Sequence, residues 1–314
     1  MMKIVLMESI GISEGKLNSY VDRLRQKGHE FVFYEKDLDV KKQIDRLESA
    51  DVLMLANMPL QPEVVASCEK LKFINVAFTG VDHIPIALAK EKGIAVSNAS
   101  GYSNDSVAEL VLALTLSLLR KIPQVDPLTR SSGVVGNLVG NELKGKTVGI
   151  IGTGAIGGRT AELFNAFGCE VLGYNPLTVE LPNVEHVTMD ELLERSDIIS
   201  LHCPLMDSTR GLIDEEAISK MKDGVIFINA ARGPIVNSEA LAKALQTGKI
   251  GAAGIDVYEM EPPIPKEHPL LNAPNTIVAP HIAYLSEESM EKRAQIVFDS
   301  LDSWLDGIQL NRIV

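Results

Sequence analysis

A chain of 314 residues exceeds the usual size of a single hydrophobic core and suits two domains. Its 46% hydrophobic content excludes a disordered or fibrous chain, and a formal net charge of −12 argues against nucleic acid or an anionic membrane as partner. Cys68, Cys169 and Cys203 form no CxxC pair and no zinc spacing, so reduced core thiols, a cytoplasmic location and no metal site are expected.

The opening residues Met1-Met-Lys3-Ile-Val-Leu6 read as a strand and lack the features of a signal peptide. Five strands are expected in the first third: Lys3–Met7, Glu30–Tyr34, Asp51–Leu55, Lys72–Val76 and Ile94–Ser97. Helical spacing separates them, as in Lys16–Lys27. A long helix is then expected over Asn104–Leu119. Its most apolar part, Val107 to Leu119, contains Glu109 and is too short to span a bilayer. After a Gly- and Ser-containing stretch, Arg130–Asn141, the alternation restarts. Six strands are expected: Thr147–Ile151, Cys169–Tyr174, Asp197–Leu201, Val225–Asn229, Gly251–Val257 and Thr276–Ala279. That number matches two mononucleotide-binding halves. From Glu287 a last helix places Ala294, Val297, Phe298, Leu301 and Leu305 on one apolar stripe. The first domain is the natural surface for that stripe. The expected architecture is therefore α/β, with two doubly wound parallel sheets. A dinucleotide-binding domain (99–285) is inserted in a discontinuous domain (1–98 plus 286–314).

The sequence Gly152-Thr-Gly154-Ala155-Ile156-Gly157 lies between a strand, Val148-Gly-Ile-Ile151, and a helix beginning near Arg159. This is the context a dinucleotide-binding glycine loop requires. Gly152 suits the tight turn, Gly154 the close approach of a pyrophosphate, and Gly157 the packing of helix on strand. The helix N-terminus would add free N–H groups for the phosphates. The acid normally found about 20 residues on is replaced by Asn175, which can still bond a ribose hydroxyl. No Arg or Lys lies between Pro176 and Val184, and Glu180 would repel a 2′-phosphate. NAD is expected, with NADP not excluded.

Ligands of open α/β sheets bind at the carboxyl ends of strands. Three ionisable residues follow expected strands there: Arg232, Glu261 and His281. Together they suit hydride transfer at a 2-oxo acid. A forked guanidinium would bind the carboxylate and carbonyl, and an imidazole would protonate the developing alkoxide. A carboxylate beside that imidazole would fix its tautomer. By position alone His202, which also follows a strand, competes evenly with His281. His29, His83, His186 and His268 read as surface or loop histidines.

The chain resembles the D-isomer-specific 2-hydroxyacid dehydrogenases over essentially its whole length. The resemblance rests on ordered segments: Phe78-Thr-Gly-Val-Asp-His83, Asn98–Glu109, Val148–Gly158, His202–Leu212, Asn229–Val236, Gly254-Ile-Asp-Val-Tyr258 with Glu261-Pro262, and Pro280-His-Ile-Ala283. It implies Arg232 as substrate-binding residue, His281 as acid/base and Glu261 as its partner. The segment with His202, Cys203, Pro204 and Thr209 would line the cofactor site. Val107, Ala230 and Asp256 would join it, Val107 near the nicotinamide and Asp256 near its carboxamide. Backbone N–H groups over Val76, Ala77, Phe78, Thr79 and Gly80 would grip the substrate carboxylate. Tyr284, where many relatives carry Trp, would alter the substrate pocket. A homodimer through the cofactor domains is implied, and no regulatory extension is expected after Val314. Asn57-Met-Pro-Leu60 offers no cation for a phosphate, which favours glyoxylate, hydroxypyruvate or pyruvate as substrate type. Some proteins of this fold are NAD-sensing corepressors or scaffolds, and others oxidise phosphite. The complete Arg–Glu–His set argues for the oxo-acid reductase.

Overall fold

The computed structural model describes residues 1–176 and 181–314. The chain divides into two compact units. One comprises Met1–Ser103 and Leu285–Val314, the other Asn104–Tyr284.

In the first unit, strands β1 (Lys3–Leu6), β2 (Glu30–Phe33), β3 (Val52–Leu55), β4 (Phe73–Val76) and β5 (Ala95–Asn98) form one parallel sheet in the order β2-β1-β3-β4-β5. This is the flavodoxin-like order. β3 and β4 are wholly buried, which explains their continuous apolar runs. The helix Glu287–Leu305 returns to this sheet: Asn75 Nδ2 donates to the Val297 carbonyl at 2.8 Å, and Phe73 stacks on Trp304 at 4.7 Å. Ala294, Val297, Phe298 and Leu301 are buried, as the stripe predicts, and Leu305 is half-buried. The tail then runs along β5: Ile313 N–H donates to the Val96 carbonyl at 2.8 Å, and Ser97 bridges Arg312. This pairing caps a sheet edge, and no periodicity announces it.

The second unit contains β6 (Thr147–Ile151), β7 (Glu170–Tyr174), β8 (Glu185–His186), β9 (Ile198–Leu201), β10 (Val225–Asn229), β11 (Ile250–Ile255) and β12 (Thr276–Val278). They form one parallel sheet in the order β12-β11-β10-β9-β6-β7-β8. Among the described residues seven strands replace the six expected. β8 has two residues, too few to show a period, and it places His186 in the sheet rather than in a loop.

Neighbouring residues of this sheet feed opposite cores. Val148, Ile150, Ile226 and Ile228 pack on one side with Val111, Leu114 and Phe164, while Ile151, Ile199 and Phe227 pack on the other with Leu192 and Leu241. The helix Asn104–Leu119 lies so close to β11 that a Cβ on Gly254 would meet Leu114 Cβ at 3.1 Å. Strand order reverses at β6 and β9, so the carboxyl ends of these strands border the switch point where such sheets bind ligands. Among the described residues no helix is long and apolar enough to cross a membrane, and no group of three or more His, Cys, Asp or Glu could hold a metal ion.

Candidate active site

Five connections leave the carboxyl ends of β6, β9, β10, β11 and β12 carrying the residues singled out above, and those after β11 and β12 bring Glu261 and His281 together. Gly152 follows β6 at φ +98, a left-handed conformation that side chains rarely adopt. A Cβ there would lie 2.5 Å from Cys203 N and 2.7 Å from the His202 carbonyl carbon. The connection after β9 is therefore pressed on the glycine turn, and His202 N–H donates to the Ile151 carbonyl at 2.7 Å. Gly157 is equally constrained, since a Cβ would sit 2.0 Å from the Gly152 carbonyl oxygen. Gly154 is different. It is exposed, its φ of −73 is ordinary, and an added Cβ would meet nothing within 4 Å. The protein's own packing gives no reason for this glycine, whereas close approach of a pyrophosphate does. Ala155 and Ile156 begin the helix Ala155–Ala166, whose first N–H groups open beside Gly154. The loop thus fits a dinucleotide. Asn175 is half-buried directly after β7. Leu177–Glu180, including Glu180, lie outside the described residues.

His202 and His281, equal by sequence position, have different surroundings. His202 Nε2 lies 2.8 Å from Ser200 Oγ, and burial pushes its imidazole down to about 4. Burial thus disfavours the protonated imidazolium at this position. His281 Nδ1 lies 2.9 Å from both Glu261 oxygens, and its ring meets Tyr284 edge-on with centroids 5.3 Å apart. An ionised carboxylate only accepts, so Nδ1 donates and Nε2 faces other partners. The His281 side chain is 11% exposed and Glu261 44%.

His281 also has φ +61, a strained conformation for a residue with a side chain. Asp256 holds it there. Its two oxygens accept the N–H groups of Ile282 and Ala283, each at 2.8 Å, and its carbonyl accepts the His281 N–H at 2.8 Å. Asp256 has no exposed surface, and burial outweighs these bonds in raising its carboxyl above the ordinary value. The carboxamide contact expected of Asp256 is thus not open in this conformation, in which it clamps the His281 loop.

Arg232 follows β10 and is half-buried, with Nη1 donating to the Ala231 carbonyl at 2.8 Å. Asn229 shapes its turn by donating to the Arg232 carbonyl and accepting from Ala231 N–H. Gly233 packs on the backbone of Tyr258: a Cβ would lie 1.9 Å from the Tyr258 carbonyl carbon. The Arg232 turn and the segment leading to Glu261 are therefore in direct backbone contact.

Other expected contacts distribute unevenly. Val107 is buried on its helix, Cys203 and Ala230 are half-buried, and Pro204 is exposed. Thr209 closes its own loop, its hydroxyl donating to the Pro204 carbonyl and accepting from Met206 N–H. On the first unit, Val76 and Ala77 are fully buried and Phe78 nearly so. The Ala77 N–H is committed to the Leu55 carbonyl at 2.6 Å and Val76 belongs to a central strand, so neither amide is offered to a carboxylate. Thr79 and Gly80 are half-buried, held from below by Asn98 Nδ2 on the Thr79 carbonyl. His268, expected at the surface, is buried at 8% exposure and pairs with Glu259 at 2.9 Å.

Comparison with known proteins agrees with this architecture. Residues 112–283 match the model of the D-isomer specific 2-hydroxyacid dehydrogenase, NAD binding domain. A hydroxypyruvate reductase of Blautia hydrogenotrophica is 36% identical over 324 residues, covering 99% of each chain. An acyclic imino acid reductase in complex with NADPH and D-Arg superposes with TM-score 0.92 at 30% identity over 100% of both chains. The D-lactate dehydrogenase of Aquifex aeolicus, complexed with NAD and lactic acid, gives TM-score 0.87 at 31% identity, covering 97% of this chain and 96% of that one. With the glycine loop in place and the whole chain covered at this identity, the chain belongs to the D-isomer-specific 2-hydroxyacid dehydrogenases, which are NAD-dependent oxidoreductases.

Proposed function

We propose that this enzyme reduces a small, unphosphorylated 2-oxo acid, of the glyoxylate, hydroxypyruvate or pyruvate type, to the D-2-hydroxy acid with NADH. The observation that carries this reading is the His281–Glu261 pair at 2.9 Å on a strained, clamped turn. When bound, the nicotinamide supplies the hydride that arrives at C2. His281 Nε2 gives a proton to the substrate oxygen as charge develops there, while Glu261 keeps Nδ1 protonated and the ring oriented. The Arg232 fork binds the carboxylate and polarises the carbonyl. The backbone of Phe78–Gly80 shares the carboxylate. In this reading residues 1–98 with 286–314 serve the substrate and 99–285 the cofactor. Asn175 bonds a ribose hydroxyl and favours NADH, as does the absence of Arg and Lys between Pro176 and Val184.

A homodimer through the second unit completes the proposal. The helix Ile122–Arg130 buries none of its residues, and Val134, Val135 and Val139 beyond it are more than half exposed. Such an apolar surface is characteristic of an interface. A cytoplasmic location suits the three free thiols.

A second reading, reduction of an imine formed from an oxo acid and an amine, is favoured by the full-length likeness to the imino acid reductase. One screen separates the two. NADH and NADPH oxidation is followed with a dozen 2-oxo acids, each with and without amines. Turnover of an oxo acid alone supports the first reading. Turnover only with amine present supports the second, and no turnover at all refutes both.

A further inference from the structure

Glu259 lies two residues before Glu261 and has no part in the proton or hydride steps. Its carboxylate is held on both sides. Oε1 accepts the Ser238 hydroxyl at 2.5 Å, and Oε2 lies 2.9 Å from His268 Nε2. His268 Nδ1 accepts Leu270 N–H at 3.3 Å, so Nδ1 carries no proton and Nε2 is the donor to Glu259. The Tyr258 ring stands edge-on to His268, centroids 5.1 Å apart. Burial raises the Glu259 carboxyl, but the bonds from Ser238 and His268 outweigh it and leave the group below its ordinary value.

These three residues come from two connections of the sheet. Ser238 opens the helix Ser238–Thr247, six residues after Arg232. Glu259 precedes Glu261 in the loop after β11. His268 lies further along that same connection, which enters β12. One carboxylate therefore ties the connection that delivers Arg232 to the one that delivers Glu261, and Gly233 against Tyr258 tightens the same junction. An apolar side chain of similar volume would fill the same space without the cost of burying a charge. Packing alone gives no reason for this carboxylate, whereas its directional bonds do.

We propose that Glu259, gripped by Ser238 and His268, is a positioning residue that fixes the Glu261 loop relative to Arg232. The proposal rests on the catalytic reading of Arg232, Glu261 and His281. Glu261 is exposed and followed by Pro262 and Pro263, two residues beyond the gripped carboxylate. Displacement by about 1 Å is enough to cost a large factor in rate.

The test compares Glu259→Leu, which removes both bonds, with Glu259→Gln, whose amide can accept from His268 and donate to Ser238. His268→Ala is paired in the same way with His268→Gln, whose amide N–H replaces the Nε2 donor. Each is assayed with glyoxylate and NADH, and NADH Kd is measured by calorimetry. Glu259→Leu and His268→Ala should lose at least roughly tenfold in kcat, with glyoxylate KM and NADH Kd changed less than about threefold. The two Gln variants should stay within about threefold of the parent. Parental kcat in Glu259→Leu and His268→Ala overturns the proposal, and so does equal damage in the Gln variants. Should Glu259→Leu yield no folded protein, the His268 pair decides alone. Glu261→Gln, run alongside, probes the underlying reading: unimpaired turnover there refutes the catalytic set itself, whatever Glu259 does.

Discussion

Alanine at Gly154 and alanine at Gly157 should have opposite consequences, although both glycines belong to the same loop. At Gly157 the new Cβ would lie 2.0 Å from the Gly152 carbonyl oxygen, against an ordinary contact of 3.4 Å or more. The helix Ala155–Ala166 must retreat by about 1.4 Å, and the obstacle is backbone that cannot swing aside. Overpacking of this kind costs roughly 1–3 kcal/mol, here towards the upper end. For a domain of this size that corresponds to a fall in Tm on the order of 5–10 °C without nucleotide. At Gly154 the added Cβ meets nothing and φ is unstrained. Only the exchange of glycine for alanine at a helix N-cap remains, at most about 1 kcal/mol or about 3 °C. Its effect should appear on adding NADH, because the methyl occupies the path of the pyrophosphate. Kd should rise at least tenfold, about 1.4 kcal/mol. Thermal melts of the nucleotide-free protein and calorimetric titration with NADH read the two quantities separately. The reasoning is refuted if Gly154→Ala binds NADH like the parent, or if it melts as early as Gly157→Ala.

His281→Ala should lower kcat by at least roughly a hundredfold with NADH binding unchanged, the scale of a general acid/base; near-parental turnover would remove His281 from the mechanism. Arg232→Lys should impair kcat/KM despite keeping the charge, since the planar fork is lost, and unchanged steady-state constants would contradict the role. Asn175→Asp should raise the preference for NADH over NADPH, measured as the ratio of kcat/KM values, and a ratio that stays or falls would show that Asn175 does not face the ribose. His202 predicts a pH dependence of stability. Its folded value of about 4 lies below the ordinary imidazole value near 6.5, so the unfolded chain binds the extra proton between them. The stability from burying the neutral ring is present above about pH 6.5 and lost as pH falls towards 4. Tm should therefore decline over that window more steeply in the parent than in His202→Gln, and equal slopes would show that His202 is not the group responsible.

Much of this protein was legible in one dimension. Buried parallel strands are short apolar runs, so β1, β3, β4, β6, β9 and β10 were readable from composition, and the helix Asn104–Leu119 from its long, mostly apolar stretch. The glycine loop was readable because its neighbours in sequence are also its structural context. Arg232, Glu261 and His281 could be nominated because each follows a strand, and in such sheets the carboxyl ends face the ligand. Three-dimensional structure decided the rest. Sequence position alone could not separate His202 from His281, although the family resemblance favoured His281, and their surroundings differ only in three dimensions. The distinction lies in burial beside Ser200 for one and in Glu261, 20 residues away, for the other. By sequence Asp256 was expected only near the carboxamide, through the resemblance, and Glu259 had no assigned role. Only the fold brings Ile282 and Ala283 to the first, and Ser238 and His268 to the second. β8 and the pairing of the tail with β5 left no sequence signal, because hydrogen bonding between main chains carries no side-chain code. Periodicity reports which face of an element is buried. It does not report which distant groups meet there, and the loops that hold the chemistry are built from those meetings.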